Sequence, residues 1–204
     1  PLSTRKRSSA ASVVYKRQQQ GYFVTLHTRH HRVANVAHVH WVALALSSLV
    51  TLERIFQADT EDGALDLWLQ TGAPASAIAG AKTFAHWLAA GLPLALLSPL
   101  LALMFQAEAS TDLLRNAALY ALGGLAFYFW GGVGAALSAT VRRGGLLISL
   151  IALPLYVPTA IFGALSMTHG PGSESAPLFL AASTLFALAV APFAMAAALR
   201  LAAD

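Results

Sequence analysis

A chain of 204 residues that is 57% apolar and 11% charged, with a mean hydropathy of +0.62, is too greasy for an ordinary water-soluble globule. Zero cysteines exclude disulfides, thiol catalysis and cysteine-ligated metals. The formal charge of +4 joins two unlike parts: residues 1–40 hold seven Lys/Arg and no acid, while residues 41–204 hold six against nine acids, a net of −3.

In chain order, residues 1–35 form a basic leading segment, expected to be disordered or artefactual, whose first 22 residues have no apolar core of the kind a cleavable leader needs. His27, His30, His31, His38 and His40 crowd its end closely enough to share an ion, but they lie in a stretch whose composition breaks off at Trp41, and no metal site is assigned to them. Five uncharged runs follow: 20 residues from Val33 to Leu52, 25 from Thr83 to Ala107, 26 from Asn116 to Val141, 30 from Gly144 to Ser173 and 25 from Ser175 to Leu199. Each reaches the roughly 20 residues that a helix needs to cross a ~30 Å hydrocarbon layer. The predicted fold is therefore an all-α, polytopic membrane bundle over residues 36–204, with spans at about 36–52, 84–106, 116–140, 145–167 and 177–199. A barrel would alternate polar and apolar residues, and LPLALLSPLLALMF does not.

Between the first two spans, five of the nine acids (Glu53, Asp59, Glu61, Asp62 and Asp66) fall within fourteen positions. Asp62-Gly63 signals a turn. After it, Ala64, Leu65, Trp68 and Leu69 recur as one apolar face of a short helix, with Asp66 opposite. A helix lying flat on anionic lipid usually carries Lys and Arg, so an acidic one suits a soluble protein partner better. Arg54, Lys82, Arg142, Arg143 and Arg200 sit in one set of connections and only Arg115 in the other, which places segment 53–82 and the C-terminus in the cytoplasm. With five spans the same rule puts the basic N-terminus outside. That conflict is expected to reflect a missing earlier span, the leading segment being a wrong start, a frame error or an artefact; a genuine basic tail is the alternative.

Prolines at 93, 99, 154, 158 and 192 are expected to bend or loosen the spans. Gly131 with Ala135, and Gly132 with Ala136, lie four apart and allow close helix contact. Trp41, Trp87 and Trp130 read as membrane-interface anchors. His86, one turn beyond Lys82, either bonds a neighbouring helix or headgroup, or contacts heme or a partner. Within the spans no paired carboxylates, Gly-x-Ser-x-Gly or phosphate-binding loop is present, so catalysis by this chain alone is not expected.

The run WVALALSSLVTLERIF, the DG at Asp62 and Gly63 followed by Leu65, AKTFAHWLAAGLPLALLSPL, RRGGLLISLIALPLYVPTAIF and the ending APFAMAAALR occur in one order from Trp41 to Arg200. Together they closely resemble the B component of the cytochrome c maturation (Ccm) system, the heme exporter protein B family. The resemblance implies six spans in the family, with the first missing here. It also implies a permease subunit of an ABC-type complex in a bacterial inner membrane, with ATP bound by a separate ATPase subunit whose hydrolysis is coupled to heme export or to release of a heme-loaded chaperone. The further implied partners are a heme-handling membrane protein and a small membrane subunit; heme is expected in the complex, no cofactor is assigned to this chain, and no nucleic acid is expected. Glu53, Arg54 and Asp62 are then candidate polar contacts to the ATPase, with Gly63 at the turn and Phe56, Leu65 and Trp68 as docking side chains. Arg142, Arg143, Gly144 and Gly145 mark a second cytoplasmic turn and a weaker candidate for that contact. The rival readings are a free-standing carrier, which the apolar spans disfavour, and a non-transporting structural scaffold.

Overall fold

The computed structural model describes residues 39–52, 55–104, 113–139, 145–168 and 172–203. Those residues are helical almost throughout, and five stretches are long and apolar enough to cross a membrane: Val39–Glu61, Ala75–Leu100, Leu113–Leu137, Leu147–Ser166 and Ala176–Leu201. In detail, α1 covers residues 39–52. Two short helices follow, α2 (Gln57–Glu61) and α3 (Ala64–Gln70), then α4 (Ala75–His86), a π-helical turn (Trp87–Gly91), α5 (Leu92–Leu96) and α6 (Ser98–Met104). The long helices α7 (Leu113–Leu137), α8 (Gly145–Ser166) and α9 (Ala176–Ala203) complete the bundle.

Helix α7 is the axis. In its membrane-crossing stretch 78% of residues are buried, against 28% in the spans built from α4–α6, α8 and α9, because its sequence is apolar and small on every side. Gly, Ala and aromatic residues alternate there, so large rings from neighbours fill the gaps above small residues. Trp41 and Leu44 of α1 pack at Gly123 and Gly124, and Leu52 at Gly131, so α1 and α7 run parallel. Ile148, Tyr156 and Ser166 of α8 meet Gly134, Phe127 and Arg115 in reverse order, so α8 is antiparallel to α7. Thr184 donates to the Leu122 carbonyl at 3.2 Å and Met195 lies against Gly132, so α9 runs parallel to α7.

Gly131 and Gly132, read as small-residue contacts, lie under close neighbours, and so does Gly134 on the same helix. A methyl group on Gly134 would stand 3.0 Å from the Ile148 backbone oxygen, and one on Gly131 would collide with the Tyr156 hydroxyl and Leu52. Neighbouring backbones therefore replace side chains, which maximises dispersion contact in a solvent that offers helices no hydrophobic drive to associate.

Three expectations are corrected. The second span starts at Ala75 rather than near residue 84, because Lys82, taken as a boundary, is the eighth residue of α4 with its charge paired. That span is also not one helix: it is interrupted at Trp87–Gly91 and again at Leu97, while Pro154, Pro158 and Pro192 lie inside unbroken helices. Trp41, Trp87 and Trp130 are buried in the bundle, at 3–8% exposure, rather than set out as anchors. Trp41 lies between Gly123 and Gly163, with its ring 5.0 Å from that of Tyr120.

Candidate functional site

The acidic segment folds as the turn chemistry dictates. α2 ends at Asp62, and Gly63 adopts φ 73°, a left-handed conformation that only glycine takes without cost, so the chain reverses into α3. The Thr71 hydroxyl donates to the Trp68 carbonyl at 2.7 Å and closes the end of α3; Gly72 at φ 77° and Pro74 then start α4.

The apolar face of this helix pair turns inward, onto the chain's own bundle. Phe56 is 1% exposed and Leu65 4%, and Ile55 is buried beside them. Phe56 and Leu65, read as docking side chains, here hold the segment down on the bundle. Half-buried Trp68 packs against the same core. Its indole carries Lys82 Nζ over it at 4.7 Å from the ring centroid, and the Phe56 ring lies 5.9 Å from the same nitrogen. Lys82 pairs with the Asp59 carboxylate. One cation is thus held by an acid of α2, an indole of α3 and a benzyl ring at the end of the first connection, which ties both short helices to α4. Thr60 adds a second attachment, its hydroxyl within 3.1 Å of the Ala139 carbonyl just past α7.

Among the described residues, what remains outward is mostly polar, with Ala58 and Leu67 as apolar points. Glu61, which accepts from the Gln57 amide at 2.9 Å, and Asp62 and Gly63 are exposed, and Leu67 is 65% exposed. Glu53, Arg54, Arg142, Arg143 and Gly144 lie outside the described residues, as do His27, His30, His31 and His38; Gly145 opens α8. His40 is buried in α1 with its ring 4.1 Å from that of Tyr120. No group of three or more His, Asp or Glu is placed to hold a metal among the described residues.

His86 is engaged within the bundle. Its Nε2 lies 2.9 Å from the Thr51 carbonyl and donates to it. In a continuing α-helix that carbonyl would receive the Ile55 N–H, but Ile55 bonds Leu52 instead at 3.1 Å, and His86 donates to it. The Thr51 hydroxyl is 3.2 Å from that of Tyr128, and Ser48 shares a 2.8 Å hydrogen bond with Tyr156. The C-terminal half of α1 is thereby fastened by polar contacts to α4, α7 and α8.

Sequence reading missed Asp59, Lys82, Thr60 and this hydroxyl network. A signal existed for two of them. A lone lysine inside a long apolar run needs an anion, and Ser47, Ser48 and Thr51 are spaced to line one helix face.

A bundle of helices long and apolar enough to cross a membrane, with an acidic helix pair clamped to one end, has the form of a multi-pass membrane protein. Comparison with known proteins makes this specific. The family model described as CcmB protein matches residues 29–202, so the match begins ahead of Trp41, where the sequence resemblance was placed to start. Heme exporter protein B of Paracoccus denitrificans is 47% identical over 163 residues, covering 78% of this chain and 74% of the relative. The proteins of that name from Bradyrhizobium diazoefficiens and Escherichia coli K12 are 44% identical over 165 residues and 38% over 169, covering 78% and 79% of this chain and 73% and 74% of theirs. The chain belongs to the CcmB family.

Proposed function

We propose that this chain is the membrane component of heme export for cytochrome c maturation, a permease subunit of the bacterial inner membrane that does no ATP chemistry itself. A separate ABC ATPase subunit binds and hydrolyses ATP and grips the α2–α3 segment from the cytoplasm, the side on which the C-terminus also lies. A heme-handling membrane protein and a small membrane subunit complete the complex. The observation that carries this reading is the clamp of Asp59, Lys82, Trp68 and Phe56. It makes a rigid handle of a segment too acidic to rest on anionic lipid, and it leaves Glu61, Asp62 and Leu67 facing away from the bundle. Contact therefore falls to the exposed acids and Leu67, with Glu53, Arg54 and the turn of Arg142, Arg143, Gly144 and Gly145 beside them, while Phe56, Leu65 and Trp68 act from beneath.

The test is a pull-down from membranes scored for a Walker-type ATPase and for bound heme. Both are expected with the natural sequence, and Asp62→Lys with Leu67→Ala is expected to lose the ATPase and cytochrome c assembly. Unchanged co-purification and assembly would remove the segment's role. A non-transporting scaffold of the same complex is the second reading. The pairing of span polar groups with one another, Ser48 with Tyr156 and Thr51 with Tyr128, favours it over an open polar path. ATPase binding without heme movement into reconstituted vesicles would select it.

A further inference from the structure

Resting on that reading, we propose that the π-helical turn Trp87–Gly91 is a hinge, driven from the handle side through two rungs on α4, with His86 as the positioning residue of the second rung.

The two rungs are Lys82 to Asp59 of α2 and His86 to the Thr51 carbonyl of α1. They are four residues apart, one helical turn, on the same face of α4. Both partners belong to the chain that runs from α1 into the handle, so a displacement of the handle acts on α4 at two points and rotates or shifts it as a body. Directly beyond His86 the helix changes character. A π turn spaces its hydrogen bonds five residues apart instead of four, a form that occurs mostly as single turns at functional positions. It is followed by Pro93, which has no N–H to send back across the turn. A second break at Leu97 precedes Pro99. The half of the span next to the handle is bolted to its neighbours, and the half beyond the turn is punctuated by weak points.

Tyr128 links the rung to the turn. Its hydroxyl meets Thr51, its ring centroid is 6.0 Å from that of His86, and the ring packs where Gly91 has no side chain; a methyl there would stand 2.7 Å from it and from Trp87. Release or tightening of the His86 contact is therefore felt at the end of the turn through a rigid aromatic side chain. The His86 Nε2–H is committed to the Thr51 carbonyl, which fixes the ring between α1 and α4 and suits this mechanical role.

The experiment uses the whole complex in nanodiscs. Because the chain has no cysteine, spin labels at Ala77→Cys and Leu100→Cys, both exposed and on either side of the turn, placed before assembly with the other subunits, report the distance across it. That distance is expected to shift by about 2 Å or more between nucleotide-free and ATP-bound states, the scale on which packed helices move in switching transitions. His86→Leu is expected to abolish the shift while the ATPase stays bound and active, and His86→Gln, whose amide donates to the same carbonyl, to keep it. Deleting Ala89, which returns the five-residue spacing to four, is expected to give one distance in both states. An ATPase that binds and hydrolyses ATP over a static 77–100 distance, or a full shift in His86→Leu, would overturn the hinge. An ATPase that fails to bind the unmodified subunit would instead overturn the proposed function.

Discussion

Replacing Lys82 with Met keeps the methylene stem over the rings and deletes the charge that holds the handle. Lys82 and Asp59 are 29% and 13% exposed, so their pair lies between the solvent-screened case, about 0.2–1 kcal/mol, and the buried case, where losing one partner costs about 3–5 kcal/mol. The ammonium above Trp68, at 4.7 Å, adds about 0.5–1 kcal/mol that the same substitution removes. A total of about 2 kcal/mol follows, which lowers the ratio of docked to undocked handle by roughly 30-fold. Asp59→Asn leaves the cation over the aromatic rings and is expected to cost about half as much, and the double variant to cost less than the sum. Hydrogen exchange of the purified protein in detergent reads this directly: amides of α2 and α3 exchange roughly 30-fold faster in Lys82→Met, and those of α7 do not change. Handle amides within about threefold of the unmodified rate would refute the clamp, and faster exchange throughout the bundle would show that Lys82 supports the whole fold instead.

Three further outcomes follow from local geometry. Gly63→Ala forces a Cβ into a left-handed backbone with open space around it, so the cost is purely conformational, about 1–2 kcal/mol, and exchange in α2 and α3 reports it while Gly63→Asn is milder. Gly134→Leu, pressed on the Ile148 backbone, is expected to prevent α7 and α8 from packing and to abolish a cooperative melt, while in Gly134→Ala gained helix propensity of about 1 kcal/mol partly offsets about 1–3 kcal/mol of overpacking. Trp41→Ala empties the slot at Gly123 and Gly163 and is expected to destabilise by about 3–5 kcal/mol in denaturant unfolding, with Trp41→Phe less harmful.

The spans were legible because lipid imposes a length and excludes charge, so uncharged runs alone give their number and approximate places. The turn at Asp62-Gly63 was legible because left-handed backbone selects glycine. What the pattern concealed was charge paired across sequence: Lys82 looked like the end of a span because its anion, Asp59, stands 23 residues earlier on another helix. The amphipathic face of α3 was visible, but not its direction; periodicity says that a face is apolar, and only packing says that it is spent on Phe56, Leu65 and the bundle. Trp41 and Trp87 misled for a related reason. An indole near a span end suits an interface, yet glycines on α7 and α8 open a slot for Trp41, and those glycines are distant in sequence.

The most direct test of the account is the side of the membrane on which the handle lies and what covers it. A single cysteine at Leu67, in a chain that has no other, should resist a membrane-impermeant maleimide in intact spheroplasts, react in inverted vesicles stripped of the ATPase, and be protected again when the ATPase is added back. Labelling from the periplasmic face, or labelling in inverted vesicles that the ATPase does not alter, would contradict it.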